Sequence, residues 1–239
     1  MNRLESMLNG QAIIFDTCVM NPHEEISLTE LLYNGLSGLS SVHTSMIEDR
    51  IHRIDQIKLL LSKPELVVIG EVYKEIKEHF RIISNQSKYL SDLFKRKRDV
   101  SSKKLDLLKD YCNDLFHFVS GLRNRDPRVY FSKEHYNILL LMAQNYSKDI
   151  RYEESGDKRH LNTPVLIGQK LGTDAHIIAT AFTLAYEKDA LVFTADKNIA
   201  EIIERININI LDPIRRTKYG LESNPLYKVS VFNPNLQQN

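Results

Sequence analysis

Acidic residues in this 239-residue chain stand at the ends of short apolar runs. Asp16 directly follows Ala12-Ile13-Ile14-Phe15, and Glu71 and Glu75 follow Leu66-Val67-Val68-Ile69. Asp196 closes Thr194-Ala195-Asp196 after the run Ala190-Leu191-Val192-Phe193-Thr194, and Asp174 opens the helical segment preceding that run. If the runs are parallel strands, their carboxyl ends face one crevice, where open α/β sheets bind ligands. Asp16, Asp196 and one of the glutamates converge there, joined by Asp174 if its helix points the same way. Three or four carboxylates repel one another unless a cation neutralises them, and hard oxygen donors in that number suit Mg²⁺ or Mn²⁺. A pair of such ions activates water and stabilises the attacking and leaving oxygens of a phosphodiester. The chemistry to expect is metal-dependent phosphodiester hydrolysis.

The elements that must position these acids follow from hydrophobic periodicity. Near-continuous apolar runs mark strands covered on both faces, and helix-period segments separate them, so the chain reads as α/β with a mainly parallel sheet. A fourth run, Ile208 to Leu211, is stopped by Asp212-Pro213, and Lys228 to Phe232 reads as an edge strand or a docking tail. Helices are expected near 28–39 and 44–61, then over about 71–94, 103–122 and 132–149, with Ser132 as an N-cap. Another is expected from Thr173 to about Lys188. Residues 151–164 show no periodicity and read as an exposed loop. Only nine Gly and seven Pro occur, which favours long regular elements over a turn-rich all-β fold.

The segments AIIFDTC, VIGEVYKEI, LGTDAHIIATAF and LVFTADKNI together resemble, in order, the four acidic motifs of PIN-domain nucleases. The likeness covers 10–76 and 161–212. It implies one PIN-like domain over 1–239: a parallel-sheet α/β/α sandwich, a helical insertion at 77–160 between the second and third motifs, and a tail at 213–239. By this resemblance Asp16, Glu75, Asp174 and Asp196 are the metal ligands and catalytic carboxylates. Thr17 pairs with Asp16, Thr194 orients a carboxylate or a water, and Glu71 is the reserve for Glu75. The family pattern also implies cleavage of RNA with Mg²⁺ or Mn²⁺. The insertion is far longer than in compact members, which argues against a toxin-type protein.

Other chemistries fit less well. A single aspartate after a strand ordinarily caps a turn or a helix, and it is the ordered set of four that points elsewhere. Cys18 and Cys112 are the two cysteines; their separation indicates neither a disulfide framework nor a cysteine zinc site. Cys18 lacks an identifiable base partner, so packing is its expected role. None of the eight histidines forms a ligand spacing, and His176 is expected to pack. A haloacid-dehalogenase-type phosphatase needs a second aspartate where Cys18 stands. No glycine-rich phosphate loop occurs.

The formal charge is +1, from 32 Lys+Arg and 31 Asp+Glu, which excludes a uniformly basic coat. The near-balance conceals an acidic motif core with a basic insertion and tail. Lys95, Arg96, Lys97, Arg98, Lys103 and Lys104 form a candidate RNA-binding run, and Arg123, Arg125 and Arg128 extend it. No signal peptide or 18-residue apolar run is found, so a cytoplasmic protein without a membrane partner is expected. The sequence reading is a metal-dependent endoribonuclease. Its rivals are a structure-specific DNA nuclease and a non-catalytic RNA-binding or scaffold module. A homo-oligomer or an inhibitory protein partner is compatible with each.

Overall fold

The computed structural model describes residues 10–19, 58, 60–61, 63–78, 80–81, 85, 110, 113–114, 116–121, 126–155, 172–211, 217 and 228–233. The chain divides into two compact units. The first comprises Met1–Val19, Glu65–Ile69 and Arg125–Asn239, and the second Met20–Pro64 and Gly70–Asn124.

The first unit is built on a parallel sheet. Its described strands are β1 (Ala12–Phe15), β2 (Leu66–Val67), β3 (Ala190–Phe193) and β4 (Val229–Phe232). They lie in the order β2-β1-β3-β4, with every pairing parallel. Every residue of β1 and β3 is buried, as the unbroken apolar runs require of central strands covered on both faces. Phe15 pairs with Phe193 and Phe193 with Phe232 in register. Their rings stack at 6.3 and 4.9 Å between centroids. This aromatic row ties the carboxyl ends of three strands together.

Three helices of this unit have defined bounds: α1 (Lys133–Ser155), α2 (Thr173–Leu184) and α3 (Lys197–Leu211). The α2 helix buries Ala175, Ile177, Ile178, Ala179, Ala181 and Phe182 and packs on β1 and β3. Its partners on the other flanks are α1 and α3. Ser132 stands at the N-cap of α1, its carbonyl accepting from the Tyr136 N–H at 3.0 Å. In α3 the residues Ile199, Ile202, Ile203, Ile206 and Ile210 are buried, a stripe at three- and four-residue spacing. Asn207 Nδ2 donates to the Val229 carbonyl at 2.9 Å, which anchors α3 to β4.

Two expectations are corrected by the structure. Ile208–Leu211 is not a strand but the last turn of α3. Ile208 is 59% exposed, so the run lacks the two-sided burial of a central strand, and the helical period that begins at Ile199 overrides the β-preference of isoleucine. The fourth described strand is Val229–Phe232, at the edge of the described sheet, as the edge-strand reading of Lys228–Phe232 expects. The α1 helix extends to Ser155, into the stretch expected to be a loop, and it packs within the sheet unit although it falls in the proposed insertion.

In the second unit the longest described stretches, 70–78 and 116–121, are helical. Gly70 starts the first of these helices, which buries Val72 and Ile76. Phe80 and Phe116 meet with ring centroids 5.8 Å apart. Lys58 Nζ is ion-paired to Asp114 at 2.6 Å. The helices expected at 28–39 and the greater part of 44–61 lie outside the described residues. Among the described residues, no helix is long and apolar enough to cross a membrane.

Candidate functional site

The carboxyl ends of β1 and β3 carry the site. Asp16 continues the ladder past β1, its N–H donating to the Phe193 carbonyl at 3.1 Å. The chain then tightens into a 3-10 turn at Thr17–Val19, which folds Cys18 back over the Asp16 side chain. After β3, the Thr194 N–H donates to the Phe232 carbonyl at 3.1 Å, and Asp196 starts α3.

Asp16, Cys18 and Thr194 form one buried polar cluster. They are 5%, 7% and 0% exposed. Cys18 Sγ donates to Asp16 Oδ2 at 2.5 Å, and Thr194 Oγ1 donates to the same oxygen at 2.6 Å. Sγ and Oγ1 lie 3.1 Å apart. The loop backbone completes the cluster: the Ala195 N–H donates to Cys18 Sγ at 3.1 Å, and the Asp196 N–H to Thr194 Oγ1 at 3.0 Å.

Burial drives the electrostatics. Desolvation pushes the Asp16 carboxyl above its ordinary range, against the opposing hydrogen bonds from Cys18 and Thr194, and the negative charge of Asp196 adds to the rise. Desolvation also pushes the Cys18 thiol up, reinforced by the Asp16 charge. A thiol so placed stays protonated and is no nucleophile. Packing alone does not describe it, however, because its sulfur is a hydrogen-bonding member of the cluster.

Asp196 is half-buried and serves as the N-cap of α3. Its Oδ1 accepts from the Asn198 N–H at 2.7 Å, and its carbonyl accepts from the Ala200 N–H at 3.4 Å. The capping role uses one carboxylate oxygen. Asp174 occupies the second position of α2, whose N-cap is Gly172 without a side-chain bond; Thr173 therefore does not cap the helix. A short turn at 185–189 joins α2 to β3, so α2 runs back along the sheet. Its N-terminus lies toward the same sheet end as Asp16 and Asp196.

A second polar group borders the start of α2. His176 Nδ1 is hydrogen-bonded to the Tyr136 hydroxyl at 2.8 Å and lies 3.4 Å from Arg128 Nη1. Arg128 is ion-paired to Asp126 at 2.5 Å, which matches its charge within the protein. His176 thus fastens α1 to α2, in keeping with the packing role expected of it. The adjoining Val129 and Tyr130 are 79% and 88% exposed.

Of the sequence candidates, Asp16, Thr194 and Asp196 are brought together, and Thr17 opens the turn between Asp16 and Cys18. Glu71 and Glu75 belong to the second unit, where Glu71 is half-buried and Glu75 exposed. Lys95, Arg96, Lys97, Arg98, Lys103 and Lys104 lie outside the described residues. Cys18 is the member that residue-by-residue reading missed. Its place two positions after Asp16 was visible, but not the bend that turns it inward.

The donor set can be tested against a divalent ion. Among the described residues, no cluster of three or more His, Cys, Asp or Glu side chains forms a metal cage. Mg²⁺ is commonly held by only one or two carboxylates, with waters and substrate phosphates completing the shell. The Asp16–Asp196 pair fits that demand in ligand type, and the partners of Asp16 within the described residues are neutral donors. No protein-family model, curated protein or solved structure matches the chain.

Proposed function

We propose that this protein is a divalent-metal-dependent endoribonuclease with a PIN-like α/β/α sandwich, hydrolysing RNA phosphodiester bonds at the carboxyl end of its parallel sheet. The observation that carries the reading is Asp16. A carboxylate is buried there against neutral donors; desolvation raises its proton affinity, and a second carboxylate, Asp196, adds to the rise. Such an arrangement is costly for the protein alone and is relieved by a cation.

Asp16 and Asp196 would hold Mg²⁺ or Mn²⁺, with Asp174 at the same sheet end. When bound, the ion would supply a water of lowered pKa and positive charge beside the phosphate oxygens. The protein's own contribution is alignment. Thr194 donates to Asp16 and receives the Asp196 N–H, so one hydroxyl sets the orientation of both acids. The motif resemblance assigns a fourth carboxylate to Glu75, with Glu71 in reserve; comparing E75Q with E71Q decides between them. The basic run at Lys95–Arg98 with Lys103 and Lys104 is assigned to the phosphate backbone.

The test is cleavage of matched single-stranded RNA and DNA by metal-stripped protein, with and without added Mn²⁺. Metal-dependent RNA cleavage, abolished by D16N and by D196N in folded protein, is the expected result. Wild-type cleavage by D196N overturns the proposal. Cleavage confined to DNA transfers the site to a structure-specific DNA nuclease, and RNA binding without cleavage identifies a non-catalytic module.

A further inference from the structure

We propose that Cys18 is a positioning residue for the carboxylate pair, its sulfur clamping the turn after β1 to the loop after β3 and leaving Oδ1 of Asp16 for a hard cation. The inference deepens the metal-dependent reading above and rests on it. Its basis is a count of protons.

Three side-chain contacts join Cys18, Thr194 and Asp16, yet the thiol and the hydroxyl bring only two protons. Both side chains donate to Oδ2, so the 3.1 Å contact between Sγ and Oγ1 carries none of its own. Sulfur and hydroxyl oxygen are then left as acceptors, and each takes a backbone N–H: Ala195 on Sγ and Asp196 on Oγ1. Every donor in the network has one acceptor. Oδ2 is doubly occupied, whereas among the described residues Oδ1 receives only the Cys18 N–H at 3.5 Å, which leaves it lone pairs to spare.

Cys18 thereby holds both acids. It fixes the rotation of the Asp16 carboxylate through Oδ2, and through Ala195 it fixes the backbone one residue before Asp196. Alanine removes the donor to Oδ2 and strands the Ala195 N–H. Serine retains a donor and an acceptor on a shorter bond. Outer-shell groups that orient ligands in this way typically contribute about 10–100-fold to metal affinity.

Two measurements test the clamp. The first is calorimetric titration of Mn²⁺ into metal-stripped wild type, C18A and C18S, each checked for folding by circular dichroism. C18A is expected to weaken binding about 10–100-fold, and C18S to recover most of the loss. Equal Mn²⁺ affinity for C18A and wild type overturns the proposal. The second is a urea-unfolding cycle in EDTA with C18A, D16A and the double variant. In the D16A background the midpoint shift caused by C18A should fall below half its wild-type value, because coupled groups are non-additive. Additive shifts overturn the clamp. If wild type binds no Mn²⁺, the metal reading fails by itself, and the metal-free cycle alone rules on the clamp.

Discussion

Replacing Asp16 by Asn removes a buried charge while preserving shape, and its effect on stability can be worked out before any assay of cleavage. Desolvation, helped by the Asp196 charge, raises the Asp16 carboxyl above its ordinary value of 3.8 despite the bonds from Cys18 and Thr194. The folded chain therefore binds this proton more tightly than the unfolded chain. Between 3.8 and the higher folded value the native state holds more protons, so stability falls as pH rises through that window. Above it the penalty is present in full; below 3.8 it vanishes, because both states are protonated.

In D16N the amide oxygen can accept from the same thiol and hydroxyl. Two charge-assisted bonds become neutral ones, a loss of about 1 kcal/mol each. Against this, the effective penalty for a buried carboxylate is several kcal/mol. The upward shift of the carboxyl says that the penalty outweighs the bonds. Metal-free D16N should accordingly be more stable than wild type by about 1–2 kcal/mol at pH 7.5, a rise in Tm of about 2–8 °C for a chain of this size. The assay is urea or thermal unfolding in EDTA across pH 3–8, where the wild-type and D16N curves should converge at the acid end. Mn²⁺ should then reverse the order, since a ligand at about 100 times its Kd stabilises by about 2.7 kcal/mol and D16N lacks the charge to hold it. A D16N protein less stable than wild type at pH 7.5, or curves parallel throughout, refutes the reasoning.

Three further outcomes separate the roles of single residues. D196A should lose about 1 kcal/mol of stability through its missing helix cap whereas D196N, which keeps the cap acceptor, should stay close to wild type in urea unfolding. In a C112S background, Cys18 should resist a thiol-reactive disulfide reagent at pH 8 until denaturant is added; rapid labelling of native protein would contradict its burial and its raised proton affinity. Changing Lys95, Arg96, Lys97 and Arg98 together to Ser should weaken RNA binding and lower the slope of log affinity against log salt. Unchanged affinity at low salt would assign that run to a solvated turn.

Short-range pattern and long-range contact divide this protein between them. The runs Ala12–Phe15 and Ala190–Phe193 are legible as central strands because every residue is apolar and each run ends at a polar turn. The acids at their ends follow by counting. Ile208–Leu211 misleads for the same reason: four residues cannot distinguish a strand from the end of an amphipathic helix, and only the stripe back to Ile199 decides. That Val229–Phe232 joins the sheet beside β3 depends on hydrogen bonds to residues some forty positions earlier, which local periodicity does not encode.

The candidate site divides in the same way. Residue type and spacing single out Asp16 and Asp196, and the motif resemblance adds Thr194. Tertiary structure decided that Asp16 is buried, that its Oδ2 is shared by a hydroxyl 178 residues away, and that Cys18 is part of the network. A carboxylate's chemistry depends on the solvent and charges around it, and those are set by whichever distant segments fold against it. The kinds of groups available were written in the chain; their proton affinities and free lone pairs arose only when β1 and β3 came side by side.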